Sequence, residues 1–141
     1  MTIVNLDRIR VHLTAENKED AIRQAGELLV QSGCVTPEYV TGMLARETTM
    51  STYLGSGVSI PHGQFENRGQ INQTGISIAQ FPQGVEWEDD SKAYLVIGIA
   101  ASSDDHIDVL ARLAEVIEDE TLINHLSATD NAEEIFQAFQ V

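Results

Sequence analysis

The sequence is poor in cysteine and in positive charge, and each shortage excludes a class of protein. Its 141 residues include one cysteine, Cys34. A single cysteine cannot form an intrachain disulfide, so the chain is not a small disulfide-stabilised domain. Eight basic residues against 22 acidic ones give a formal net charge of −14. Because nucleic acids and anionic membrane surfaces both require a basic face, the sequence predicts binding to neither.

Long apolar runs are also missing. No run approaches the ~20 residues that cross a bilayer, and the first residues, interrupted early by Asp7, lack a signal-peptide pattern. The sequence therefore predicts a cytoplasmic protein with no direct membrane insertion. A hydrophobic content of 43% is typical of a globular chain, and this length can bury a core without metals or disulfides. We expect one domain over residues 1–141.

Helical periodicity marks the first part of the chain. It predicts a helix from Asn17, which caps it, to Ser32. A second helix opens with Thr36 as cap and Pro37 at its first position, and it carries Arg46 near its end. A polar loop is expected over residues 64–69. Further helices are expected after caps at residues 102–104 and over residues 121–126 and 131–139.

Three apolar segments are typical of strands. Residues 58–60 form a short run, residues 74–79 alternate as a half-buried strand does, and residues 94–100 are apolar on both faces, as in a central strand. Residues 82–84 predict a turn, with a short edge strand after it. Because strands and helices interleave, we expect an α/β sandwich: a mixed central β-sheet flanked by helices on both faces.

A histidine between a proline and a glycine is the most informative chemical feature. His62 ends the stretch LGSGVSIPH at residues 54–62 and is followed by Gly63. Its ring suits proton or phosphoryl transfer near neutral pH. His106 is expected in the first turn of the helix after the central strand. Because ligands in open α/β sheets gather where strands end and helices begin, the two histidines are expected to meet at one rim. His12 and His125 are interpreted as surface or packing residues.

The surroundings of His62 suggest an anion site. The free N–H groups at the helix start near His106 suit a phosphoryl group, provided that Asp104 and Asp105 point outward or cap the helix. Arg46 is the nearest upstream cation and could pair with phosphate, although its residue context alone favours a solvated charge at a helix end. Gly55, Gly57 and Gly63 fit a crowded turn where backbone approaches a ligand.

Several other chemistries lack their signatures. No His-x-x-x-His or cysteine pair predicts zinc. The nucleophile elbow of hydrolases, the phosphate-binding lysine loop and the dinucleotide fingerprint are all absent from the sequence. What is left is a reactive histidine that works without a metal or cofactor, or a binding domain in which His62 and His106 are merely packed.

Three segments resemble one known family. They are residues 46–47 with 53–63, residues 81–85, and residues 94–101 with 105–110. Together they resemble the IIA domains of the bacterial sugar phosphotransferase system, most closely the mannitol/fructose class. The resemblance covers nearly the whole chain. Ser59 stands where that family often has alanine, which leaves room for an extra hydrogen bond near the site.

The resemblance implies a phosphotransferase with a phosphohistidine intermediate. In such a protein, His62 accepts a phosphoryl group from the carrier HPr and passes it to a cysteine of a IIB domain. With a membrane IIC component, that domain serves uptake of a mannitol-like sugar alcohol or fructose. His106 is implied to hydrogen-bond the phosphoryl oxygens and Arg46 to neutralise their charge, and no cofactor is implied. The alternative is a nitrogen-type IIA protein with a regulatory role unconnected to transport.

Overall fold

A mixed five-stranded sheet forms the centre of the molecule in the computed structural model, which describes residues 3–88, 90–101 and 105–140. The strands are β1 (Ile9–Arg10), β2 (Tyr53–Gly55), β3 (Val58–Ser59), β4 (Gly75–Glu88) and β5 (Ser91–Ala100), in the spatial order β1-β4-β5-β3-β2. The pairs β1–β4 and β3–β5 are parallel, and the pairs β4–β5 and β2–β3 are antiparallel. The expected mixed sheet is confirmed.

Five α-helices accompany this sheet in the described part of the chain. They are α1 (Lys18–Gln31), α2 (Glu38–Thr49), α3 (His106–Ile117), α4 (Glu120–Leu126) and α5 (Ala132–Phe139). The predicted first helix is confirmed: the Asn17 side chain accepts from the Asp20 amide, and Gly33 follows with a φ of +83°. Among the described residues, none of the helices combines the length and apolar character that crossing a bilayer requires.

Two apolar cores lie on opposite faces of the sheet, which confirms the sandwich. Along β5, Ile97 and Ile99 join the core formed with α3, α4 and α5, whereas Val96 and Ala100 join the core formed with α1 and α2. Residues 95–100 are all buried. Each large side chain removed from water in this way contributes about 1.5–3 kcal/mol, so β5 is held firmly from both sides.

Strand β4 differs from its prediction in two ways. Residues 75–81 are buried on both faces, because Ser77 donates its hydroxyl proton to the Ala25 carbonyl (2.7 Å) and Gln80 donates to the Leu126 and Thr129 carbonyls (2.8 Å each). The predicted turn at residues 82–84 is an irregularity in strand register instead. Gly84 has a φ of +81°, and the chain continues in β4 to Val85, which pairs with Ala93.

The structure also differs from three smaller predictions for residues near the helices. Pro37, not Thr36, occupies the cap position of α2. The expected polar loop is mostly a 3₁₀ helix, Phe65–Gln70, whose start is closed by the Gln64 amide donating to the Asn67 side chain (2.8 Å). The predicted caps at residues 102–104 lie outside the described residues, and the structure places Asp105 at the cap of α3.

Candidate functional site

A pocket of about 520 Å³ opens at the rim of the sheet. It lies where the chain leaves β3 and β5, beside the end of α2 and the start of α3. Its lining combines two histidines, two arginines, a tyrosine and an exposed isoleucine: His62, His106, Arg46, Arg68, Tyr39 and Ile107. All three residues predicted from the sequence as site residues therefore line the same cavity.

His62 is held through its backbone and its ring. The Ile99 amide donates to the Pro61 carbonyl (2.9 Å), and His62 itself forms an isolated parallel bridge with Ile99. The ring atom Nδ1 lies 2.8 Å from the Ile60 carbonyl oxygen. Because a carbonyl oxygen can only accept, Nδ1 carries the proton. Nε2 is therefore the nitrogen with the free lone pair.

The electrostatic surroundings keep the His62 ring neutral. Burial lowers the pKa of His62, because the charged imidazolium would lose solvation. The bond to Ile60 and the charge of Glu47 act in the opposite direction, and the positive charges of Arg46 and His106 add to the lowering. A neutral ring with one bare nitrogen is a nucleophile.

The two site histidines meet as predicted. Their ring centroids are 5.6 Å apart and the rings are inclined by 61°. His106 is the first residue of α3. The preceding Asp105 makes no side-chain cap, and its carboxylate accepts a hydrogen bond from the Thr74 hydroxyl (2.8 Å), which ties the start of α3 to the start of β4. Asp104 lies outside the described residues.

Arg46 and Arg68 make the pocket cationic. Arg46 Nη1 donates to the Met50 carbonyl (2.7 Å), which holds the guanidinium at the C-terminal end of α2. Both arginines line the cavity with His62. Arg68 was not predicted as a site residue, because its segment resembled an ordinary polar loop.

Tyr39 on α2 is a second pocket residue that the sequence did not single out. Its hydroxyl donates to the Ile99 carbonyl (2.8 Å) and accepts from the Gly63 amide (2.9 Å). Burial raises the pKa of Tyr39, so the hydroxyl keeps its proton. A Cβ atom on residue 63 would lie 2.5 Å from the Tyr39 ring. The Tyr39 ring therefore requires glycine at position 63, which also lines the pocket.

The other two glycines singled out from the sequence lie outside the pocket. Gly55 ends β2 and Gly57 lies in the turn before β3, with φ angles of +98° and +79°. Only glycine adopts such angles without strain. They shape the hairpin that precedes His62 and do not line the site.

A buried carboxylate fixes the end of α2 next to Arg46. Glu47 is only 6% exposed, and it accepts hydrogen bonds from the Thr52 hydroxyl (2.6 Å) and the Trp87 indole (3.1 Å). Lys18 Nζ lies 3.6 Å away. These contacts join α2 to α1 and β4.

Ser59 does not make the extra hydrogen bond that the family comparison left room for. Its side chain is fully buried on β3, and its hydroxyl oxygen has no hydrogen-bond partner. No group of three or more potential metal ligands occurs among the described residues.

The remaining histidines lie on the surface, as predicted. His12 Nε2 contacts Asp130 at 2.7 Å, and His125 Nε2 contacts Glu134 at 2.7 Å. Their side chains are 53% and 56% exposed. Neither lines the pocket of His62.

Comparison with known proteins gives one consistent family. The family model described as "Phosphoenolpyruvate-dependent sugar phosphotransferase system, EIIA 2" matches residues 2–141. A multiphosphoryl transfer protein of Escherichia coli O157:H7 is 49% identical over 121 residues, which cover 86% of this chain and 32% of that protein. A mannitol-specific EIICBA component of Pasteurella multocida is 46% identical over 126 residues, 87% of this chain and 20% of that protein.

A solved structure agrees with the family match. The complex of enzyme IIAMTL and phosphorylated enzyme IIBMTL from Escherichia coli contains a chain that superposes with a TM-score of 0.91 at 39% identity, covering 97% of this chain and 98% of that one. The chain spans about a third or less of the length of the two curated relatives.

Proposed function

Because the chain belongs to the EIIA 2 family of the phosphoenolpyruvate-dependent sugar phosphotransferase system, we propose that it carries a phosphoryl group on His62. The observation that supports this most directly is the 2.8 Å contact between Nδ1 and the Ile60 carbonyl. It leaves Nε2 bare in a ring whose pKa is lowered by burial. The acceptor is therefore deprotonated at neutral pH and needs no general base.

The first transfer is a displacement at phosphorus. The Nε2 lone pair forms a bond to the phosphorus of a phosphohistidine on an HPr-like carrier. The bond from phosphorus to the carrier's ring nitrogen breaks, and its electron pair stays on that ring. Phosphoryl transfer of this kind depends mainly on in-line positioning and on stabilising charge at the three equatorial oxygens.

His106 and Arg46 are proposed to supply that stabilisation. The His106 ring lies beside His62 and can donate an N–H to a phosphoryl oxygen. The Arg46 guanidinium lines the same pocket and can offset phosphate charge with two parallel N–H bonds. Arg68 adds a second positive charge to the lining.

The second transfer is proposed to go to a cysteine of a IIB domain. Its thiolate attacks phosphorus, and the bond from phosphorus to Nε2 breaks. The complex of the similar enzyme with phosphorylated enzyme IIBMTL supports this direction. A membrane IIC component completes the proposed route, with a mannitol-like sugar alcohol or fructose as cargo, and the mannitol-specific relative favours mannitol.

We also propose that residues 1–141 form one phosphotransfer domain and that it works in the cytoplasm. Its formal charge of −14 suits docking of a carrier with a basic rim. A sugar would be recognised elsewhere, because the pocket residues described above suit phosphate and a protein partner.

Phosphoryl transfer followed by a chase tests the proposal. The chain is incubated with carrier protein phosphorylated from labelled phosphoenolpyruvate, and the label is located by mass spectrometry and ³¹P NMR. We expect one phosphoryl group on Nε2 of His62, none on His62→Gln, and full labelling of the control His125→Gln. Purified IIB domains of the mannitol and fructose classes are then added to the labelled chain.

Three outcomes discriminate among the functions. Label on another residue, or label that survives in His62→Gln, refutes the assignment of His62. Label that no IIB domain removes favours the nitrogen-type regulatory role. A chain that takes no phosphate, and whose two site histidines titrate independently, would be a binding domain with packed histidines.

A further inference from the structure

We infer that Tyr39 is the positioning residue that orients His62 for phosphoryl transfer, an inference that rests on the function proposed above. Tyr39 is buried on α2, 23 residues before His62, yet its hydroxyl reaches the backbone on both sides of the site. It accepts from the amide of Gly63, the neighbour of His62, and donates to the carbonyl of Ile99 in β5.

The contacts form a closed clamp around His62. Ile99 holds the residue before His62, because its amide donates to the Pro61 carbonyl. Through its own carbonyl, Ile99 also holds the Tyr39 hydroxyl, which in turn holds the residue after His62. Both neighbours of the histidine are thus hydrogen-bonded to Ile99, directly or through the Tyr39 hydroxyl, and Ile99 is fully buried in β5.

The clamp also limits rotation of the ring. The Ile60 carbonyl that accepts from Nδ1 lies in the segment 60–63 that the clamp holds. The direction in which this carbonyl points, and with it the orientation of the His62 ring, therefore depends on how firmly that segment is held. The Tyr39 ring packs against Gly63 so closely that a Cβ atom at that residue would lie 2.5 Å from it. The backbone of Ile99 and the hydroxyl and ring of Tyr39 therefore together hold the backbone of His62 in one position.

Tyr39 lines the pocket, but its hydroxyl is not available to the phosphoryl group. A phenol hydroxyl has one proton to donate, and in Tyr39 that proton is already donated in a hydrogen bond to the Ile99 carbonyl. Burial raises the pKa of Tyr39, so the proton is not lost near neutral pH. Tyr39 thus acts through the placement of Nε2 and not by contact with the transferred group.

The chain supplies a matched control in Tyr53. Its hydroxyl also accepts from a glycine amide, that of Gly57 (3.2 Å), and donates to a carbonyl of β5, that of Lys92 (3.1 Å). Tyr53 lines a different depression and does not line the pocket of His62. Tyr53→Phe therefore removes the same pair of bonds at a distance from the site.

The experiment compares Tyr39→Phe with Tyr53→Phe in the full chain. Because misplacement of a reacting atom by about 1 Å can cost ~10²-fold in rate, we expect Tyr39→Phe to accept phosphate from the phosphorylated carrier about 10- to 100-fold more slowly. We expect Tyr53→Phe to react at the unmodified rate. ¹⁵N NMR of the imidazoles should show that Tyr39→Phe loses the uniform Nδ1–H form of His62, whereas Tyr53→Phe keeps it.

The readouts separate this inference from the proposed function. If the unmodified chain takes no phosphate on His62, the function fails, while the NMR comparison still tests the clamp. An unchanged rate with an unchanged His62 spectrum in Tyr39→Phe overturns the inference. Equal slowing in both variants with intact His62 spectra also overturns it, because the effect is then a general loosening of the sheet.

A measurement without substitution covers the case in which Tyr39→Phe fails to fold. In the unmodified chain, the Gly63 amide and the Tyr39 hydroxyl proton should exchange slowly with solvent, because each is held in a hydrogen bond. Fast exchange of both protons refutes the clamp. Slow exchange of both protons, together with a uniform Nδ1–H form of His62 in the ¹⁵N spectrum of the unmodified chain, supports it.

Discussion

The two pairs of histidines in this chain occupy opposite environments. His62 and His106 line one pocket, face each other at 5.6 Å and have arginines for neighbours. His12 and His125 are more than half exposed, and each contacts a carboxylate at 2.7 Å. A cationic pocket favours a neutral ring that can receive an anion, whereas the carboxylates beside His12 and His125 would repel one. The neighbours, and not the residue type, decide which pair can carry a phosphoryl group.

Replacing Arg46 should have the largest effect on the difference between the pocket histidines and the surface histidines. We expect Arg46→Met to slow phosphoryl transfer to His62 about 100-fold or more, because a preorganised donor to the developing charge is lost. The pKa of His62 should rise at the same time, since Arg46 lowers it. Rapid-quench kinetics and NMR titration measure the two effects.

Arg23→Met provides the matched control, because Arg23 is exposed on α1 and does not line the pocket. It should change neither quantity. Transfer at the unmodified rate in Arg46→Met would contradict the role of Arg46, and circular dichroism would establish that the variant is folded.

Replacing the second site histidine should have a smaller effect. We expect His106→Gln to accept phosphate about tenfold more slowly, because glutamine keeps one N–H donor near the phosphoryl oxygens while the ring is lost. The label should remain on His62. The counterpart His125→Gln should be indistinguishable from the unmodified chain, and equal slowing of both variants would remove the distinction between the pairs.

Much of this arrangement is predictable from local sequence. The Pro-His-Gly segment after a short apolar run and the histidine after the central strand indicate where strands end, and chain topology brings such ends to one rim. His62 and His106 follow from that reasoning, whereas Arg46 is assigned only through the family resemblance, because its residue context alone favours a solvated charge at a helix end. Tyr39 follows from neither, because its hydroxyl partners are 24 and 60 residues away in sequence.

The misreading of β4 has a similar physical cause. Pro82 and Gly84 are turn residues by local preference, but pairing with β5 carries the chain through them as an irregular strand. Ser77 belongs to the alternation that predicts a half-buried strand, yet it is buried with its hydroxyl bonded to a carbonyl, and Gln80 just beyond that segment is buried in the same way. Local patterns do not reveal acceptors that only the folded chain supplies.

The pH dependence should distinguish His62 by the direction of its shift. Burial lowers the pKa of His62 on folding, so the midpoint of the loss of phosphoryl acceptance on acidification should lie below about 6.5, the ordinary value for histidine. A midpoint above that value would contradict the shift.

The same shift also affects folding stability. Below the ordinary pKa the unfolded chain binds a proton that the folded chain does not, so stability decreases as pH falls from there towards the folded pKa. His62→Gln should be less sensitive to acid across that window, as urea unfolding at several pH values would show.

The smallest effect is expected at the surface pair. His12→Gln removes an exposed contact with Asp130, and such ion pairs contribute little. We expect the melting temperature to change by less than about 3 °C, as calorimetry would measure, with phosphoryl transfer unchanged. A large loss of stability would show that this contact is structural.

In the proposed reaction, the contact between Nδ1 of His62 and the Ile60 carbonyl also determines the leaving group of the second transfer. When Nε2 attacks phosphorus in the proposed reaction, the proton on Nδ1 stays in place, so the phosphorylated ring is an imidazolium that the dianionic phosphoryl group balances. When the thiolate removes the phosphoryl group, the ring departs as neutral imidazole and not as the much more basic imidazolate. One backbone oxygen thus serves both half-reactions, and the carrier returns to its starting protonation state without exchanging a proton with solvent.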